Sequence, residues 1–103
     1  MKRTLYLTLN RVWFDLIESG EKKEEYREIK GYWVRFFKKH CDNFSIVDLI
    51  ASGLQYDLLV FRNGYRTDSP KILLKNPKIR IGKGKKKWGA VPGRNYFIIS
   101  WDR

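Results

Sequence analysis

Thr4-Leu5-Tyr6-Leu7-Thr8-Leu9 alternates along the chain, with Leu5, Leu7 and Leu9 on one side. A period of two predicts a half-buried strand. Asn10 follows as a good helix N-cap. From Arg11 to Ser19 the apolar residues Trp13, Leu16 and Ile17 recur at helical spacing, and Gly20 supplies the stop. The stretch Lys22 to Ile29 is too charged for a buried helix; directly after a glycine stop it predicts a second strand. Gly31 opens another helical stretch, in which Trp33, Phe36 and Phe37 share one face and Arg35, Lys38 and Lys39 the other. The aromatic stripe reads as core packing. The basic face reads as a solvated surface, with phosphate contact as the alternative.

Cys41 to Gly53 mixes its signals and carries no assignment. Asp57-Leu58-Leu59-Val60-Phe61-Arg62 predicts a strand, and Asn63-Gly64 a tight turn after it. Ile72-Leu73-Leu74 and Ile79-Arg80-Ile81 predict one long strand or two short ones, interrupted near Asn76-Pro77. Gly82 to Gly93 reads as a glycine- and lysine-rich loop, and Tyr96 to Trp101 as the last strand. Five or six strands with two or three short helices predict an α+β domain built on a curled sheet or small β-barrel.

A chain of 103 residues fits a single domain over 1–103, and 43% hydrophobic residues give it a core. No stretch approaches the roughly 20 apolar residues that span a membrane, and the start of the chain has no signal-peptide core. One cysteine, Cys41, allows no internal disulfide and points to a reducing, cytoplasmic setting. With one histidine, His40, beside it, the chain has no zinc cage. Adjacent residues rarely aim at one point, so His40-Cys41 is a poor ligand or nucleophile pair. No residue pattern points to a metal or a cofactor, and a monomer is the default expectation.

Charge changes the picture most. The net charge is +11, yet residues 1–28 hold six basic and six acidic side chains, so the whole excess lies beyond them. Between Asp68 and Asp102 there are nine Lys or Arg residues and no carboxylate. Charge segregated in this way makes a field suited to polyanions; the alternative is a solvated, soluble surface. Lys83, Lys85, Lys86 and Lys87, with Trp88, join flexible backbone, ammonium groups and a ring, a mixture suited to single-stranded nucleic acid. Trp88 has a second reading, as an anchor of that loop on the core. Arg94 extends the same basic region. Arg62, Tyr65 and Arg66 surround the predicted turn and offer a stacking ring with phosphate donors, or an ordinary polar hairpin tip.

The string Gly20-x-Lys22-x-x-Glu25-x-Arg27 has its own logic. In an extended strand Glu25 and Arg27 point to one face, where they pair or bracket a ligand: the guanidinium as a planar fork, the carboxylate as an acceptor for base amino groups. Lys22 has the opposite parity and joins them only from the helix-to-strand turn, which Gly20 frees. The competing reading is a charge-balanced edge strand that discourages aggregation.

This string resembles the GxKxxExR motif of ASCH domains, which are PUA-like barrels. The preceding strand and helix, Phe61-Arg62-Asn63-Gly64-Tyr65, and Trp88 to Phe97 are similar to segments of small bacterial and phage-type members. The resemblance covers nearly the whole chain. It implies a five- or six-stranded barrel with a cleft beside the motif, and kinship with RNA-binding PUA domains. The expected partner is RNA or a nucleotide-like ligand, with Lys22, Glu25, Arg27, Arg62 and Tyr65 as ligand contacts and Arg66, the lysine loop, Trp88 and Arg94 as nucleic-acid contacts.

The resemblance also carries an enzyme alternative, since some ASCH proteins hydrolyse the amide of an acylated cytidine and others are linked to RNA cleavage. In the amidohydrolase group the motif supplies a lysine and a threonine, and a later strand supplies a glutamate. Lys22 stands at the lysine, but Glu25 stands where the threonine would be and no glutamate follows Glu28. A different hydrolysis would use Glu25 as general base and Lys22 or Arg27 to stabilise developing negative charge.

Overall fold

A computed structural model describes residues 3–39 and 56–103, so the unassigned stretch 41–53 and the His40-Cys41 pair lie outside the described residues. The described chain runs β1 (Thr4–Thr8), α1 (Arg11–Glu18), β2 (Glu24–Glu28), α2 (Gly31–Lys38), β3 (Leu58–Arg62), β4 (Lys71–Lys83) and β5 (Asn95–Asp102), with a 3-10 turn at Lys86–Trp88. The five strands form one mixed sheet in the order β1-β3-β4-β5-β2. Only β1 and β3 run parallel; the other neighbours are antiparallel. The molecule is an α+β fold. No described helix is long and apolar enough to cross a membrane.

Leu5 and Leu7 of β1, Leu59 and Phe61 of β3, Ile72 and Leu74 of β4 and Phe97 and Ile99 of β5 bury one face of the sheet. Phe14 and Ile17 of α1 and Phe37 of α2 close that core from the helical side. The Phe37 ring meets Phe97 edge-on, with centroids 5.1 Å apart. The predicted helix start holds: the Asn10 side chain accepts a 3.1 Å hydrogen bond from the Trp13 N–H, satisfying a donor the first turn leaves open.

Three expectations are resolved in finer detail, the first in favour of one long strand. The predicted interruption of β4 is a bulge. Lys75 pairs with Asp102 and Lys78 with Ser100, so β4 holds one residue more than β5 there. Asn76 takes φ 49°, and the extra residue keeps Ile79 on the core side as Ile72 and Leu74 are. Asn63-Gly64 does not make a tight two-residue turn, because Arg62 pairs with Lys71 and residues 63–70 form a longer connection. The predicted 82–93 loop begins later, since Gly82 and Lys83 belong to β4, and it contains a 3-10 turn at Lys86–Trp88.

The sheet also does not close into a barrel. Its edges, β1 and β2, have no ladder between them among the described residues. They nevertheless curl to within the reach of one side chain: an Arg27 Nη of β2 donates a 3.1 Å hydrogen bond to the Thr8 carbonyl of β1. A guanidinium spans the seam that a backbone ladder would close.

Candidate functional site

Gly20, at φ +87°, ends α1, and the Lys22 N–H returns to the Leu16 carbonyl at 2.9 Å. This turn, not the strand, positions Lys22, since β2 begins only at Glu24. Glu25 and Arg27 then follow with strand parity on the core-facing side, paired with Ile99 and Phe97 of β5. The three motif side chains therefore converge.

Lys22 Nζ lies 2.8 Å from Glu25 Oε1, and an Arg27 Nη lies 3.0 Å from Glu25 Oε2. The Lys22 and Glu25 side chains are only 1% and 6% exposed, which makes this a desolvated pair and not a surface ion pair. Burial of an ammonium demands that its donors be used. Lys22 Nζ donates a second hydrogen bond of 3.0 Å to the Trp88 carbonyl and sits 4.2 Å from the centroid of the Trp13 ring. Arg27 is fixed from a third side by the Trp33 ring, whose centroid is 5.0 Å from the guanidinium carbon. Its Nε is buried without a hydrogen-bond partner.

A cavity of about 380 Å³ opens over this group, at the small end of the range for ligand pockets. It lies at the seam: Thr8 and Asn10 come from the end of β1 and the helix entry, Trp13 from α1, Arg27 and Glu28 from β2, and Arg94 from the approach to β5. Three cationic side chains (Lys22, Arg27, Arg94) and two anionic ones (Glu25, Glu28) line it. Lys30, hydrogen-bonded to Glu28, holds that carboxyl below its usual range, with Arg94 adding to the effect.

The lysine loop forms the neighbouring wall and is tied down twice. Tyr26 Oη accepts from the Lys85 N–H at 2.9 Å, and Tyr96 Oη accepts from the Val91 N–H at 2.9 Å. Tyr26 Oη in turn donates to Glu24 Oε1, whose other oxygen takes a 2.7 Å contact from Arg80. Burial pushes the Tyr26 phenol up to about 12, with the Glu24 charge adding to it and the Lys85 N–H opposing it. Burial raises the Glu24 carboxyl too, but hydrogen bonds from Arg80 and Tyr26 and the charges of Arg80 and Lys85 outweigh it and leave the group below its usual value.

The other expected contacts are distributed differently. Trp88 is buried, with the Lys85 and Lys87 ammonium groups 4.6 and 4.8 Å from its ring centroid, so it anchors the loop and presents no open stacking face. Lys83, Lys85, Lys86 and Lys87 are exposed beside the cavity without lining it. One Arg62 Nη donates to the Tyr65 and Arg66 carbonyls at 3.2 Å each, which shapes the 63–70 connection, and Arg62 does not line the cavity. Arg66 pairs with Asp68 at the surface. Tyr65 stands open beside a second groove that shares Thr8 and Arg27 with the cavity.

Sequence reasoning missed Trp13, which reads as a core residue on an amphipathic helix yet carries the Lys22 ammonium on its ring. It also missed the Glu24–Tyr26–Lys85 link; the strand parity that groups Glu24 with Tyr26 was the available signal. Among the described residues, no three His, Cys, Asp or Glu side chains gather where they could hold a metal ion. No family model, no curated protein and no solved structure matches the chain.

Proposed function

We propose that this protein is an RNA-binding domain of the ASCH, PUA-like type, and that the seam cavity takes one nucleotide-like unit of its ligand. The observation that carries this reading is the buried Lys22–Glu25–Arg27 row beneath a cavity rimmed by Arg94 and flanked by a lysine-rich loop. Its lining is net cationic and partly aromatic, which suits a phosphate joined to a base. The curled sheet, bridged at its seam by Arg27, supports placing the fold with small PUA-like barrels. The single cysteine fits a cytoplasmic setting.

Lys22 serves this site by holding the carboxylate and the Trp88 carbonyl in place; Arg27 and Arg94 make the direct contacts. The hydrolase alternative gains little from this geometry. Each Glu25 oxygen is paired with a cation and the side chain is only 6% exposed, so water has little access to it as a general base.

The test is a titration of labelled short single-stranded RNA, followed by fluorescence anisotropy across a salt series. Contact with four to six phosphates gives a slope of log K against log[salt] of about −3 to −4. Arg94→Ala flattens that slope by about 0.7 if it meets one phosphate. Salt-independent binding, or none, overturns the reading, and turnover of RNA or N4-acylcytidine would move the protein to the enzymes.

A further inference from the structure

The groove next to the seam cavity has a different chemistry. It encloses about 310 Å³ between the edge of β1, the first turns of α2 and the 63–70 connection. Its lining is aromatic: Tyr6, Tyr32, Trp33, Phe36 and Tyr65. Three of these rings are open to solvent, Tyr6 at 56%, Tyr32 at 61% and Tyr65 at 87% exposure. A Tyr in a half-buried strand alternation or on a helix face needs no such exposure for folding, and a cluster of exposed rings marks a contact surface. Tyr32 is already set against its neighbours, edge-on to Trp33 at 4.9 Å and stacked near Phe36 at 6.4 Å, so its ring is presented at low entropic cost.

Thr8 and Arg27 line both this groove and the seam cavity, so the two are contiguous and the guanidinium lies on their boundary. A ligand occupying both would cross a fixed positive charge at mid-length. In a single-stranded nucleic acid, a phosphodiester stands between successive bases. The groove supplies π-faces without charge of its own beyond Arg27, as base stacking needs.

We propose that the groove is a second-base subsite: the protein binds a dinucleotide step of single-stranded RNA, with one nucleotide in the seam cavity, the linking phosphate at Arg27 and the adjacent base among Tyr6, Tyr32 and Tyr65. This rests on the nucleotide reading of the seam cavity and extends it from one unit to two.

The experiment compares nucleoside 3′-monophosphates with dinucleoside monophosphates, by NMR-monitored titration of the parent, Tyr6→Ala and Tyr32→Ala. The monophosphate carries at least as much charge as the dinucleoside form, so any gain from the second unit is not electrostatic. Stacking of one base predicts that the dinucleoside form binds about 5- to 150-fold tighter. Each tyrosine substitution removes a substantial part of that gain and leaves monophosphate affinity unchanged, and both sites are exposed enough for the variants to fold, which a thermal melt checks. Equal affinity of the two ligands, or a gain the tyrosine variants keep, overturns the second subsite while leaving the first intact; a groove built for a protein segment would give that result. Absence of binding by either ligand overturns both.

Discussion

Replacing Glu25 by Gln keeps the side chain's shape and removes the charge that two cations share. In the folded protein Lys22 and Glu25 meet at 2.8 Å with side chains 1% and 6% exposed, so solvent screening offers the remaining charges almost nothing. Breaking a buried pair by removing one member costs about 3–5 kcal/mol, because the other charge stays desolvated. Against a total stability of roughly 5–15 kcal/mol for a domain, that is a large share. Lys22→Met should cost less than Glu25→Gln. The carboxylate keeps Arg27 at 3.0 Å, and the main loss is the donor to the Trp88 carbonyl, worth about 1–3 kcal/mol. In the double variant Lys22→Met/Glu25→Gln no ammonium is left without its carboxylate, so its cost should fall short of the sum of the two by about 1–3 kcal/mol. Urea unfolding at pH 7, followed by far-UV circular dichroism, measures all four proteins, with unchanged m-values as the check on two-state behaviour. If Glu25→Gln lies within about 0.5 kcal/mol of the parent, or the two costs add, water reaches the pair and the argument from burial fails.

Three further outcomes follow from the same geometry. The Tyr26 phenol holds its proton to about 12 in the folded state against an ordinary 10.0, so stability is intact below pH 10 and drains as pH rises towards 12; Tyr26→Phe should lose that component, seen as a flatter alkaline limb in urea midpoints. A Cβ at Gly84 would come within 2.6 Å of the Tyr26 ring and 2.7 Å of Ala90 Cβ, so Gly84→Ala should cost about 1–3 kcal/mol and speed amide exchange at Lys85, whose N–H is held by Tyr26 Oη. Arg27→Lys keeps the charge but loses the flat guanidinium, one Nη of which meets both Thr8 and Glu25 while its face lies over Trp33, so it should cost about 1–3 kcal/mol and weaken the proposed RNA binding, measured by the same unfolding and anisotropy assays.

Local rules made the strands and helices legible, because each depends on neighbours in sequence. The Asn10 cap, the Gly20 stop and the shared parity of Glu25 and Arg27 are of this kind. What remained hidden depends on contacts far apart in the chain. The burial of Lys22 needs Trp88, sixty-six positions away, to supply a carbonyl and Trp13 to supply a ring, and no local pattern announces either. The bulge was half visible: Asn76-Pro77 marks a break, but only the register with Asp102 and Ser100 shows that the strand continues through it. Arg62 has two local readings that its contacts separate. Its place beside a turn reads as an open phosphate donor or as part of an ordinary polar tip, and the hydrogen bonds from one Nη to the Tyr65 and Arg66 carbonyls fit the second.

The seam explains why the charged motif is where it is. A sheet closed by a β1–β2 ladder would have no room between its edges, and a sheet left flat would expose two long edges to other chains. This chain takes neither course. It curls the edges to within one arginine of each other and fills the gap with Lys22, Glu25 and Arg27, whose mutual pairing makes a polar floor tolerable inside an otherwise apolar fold. Such a floor is rigid because every member holds another: Arg27 is fixed by Thr8 and Trp33, Glu25 by two cations, and Lys22 by Trp88 and Trp13. Rigidity of that kind favours reading a ligand's shape and charge. A recognition surface works best with its groups already in place, because little ordering is then left to be met on binding.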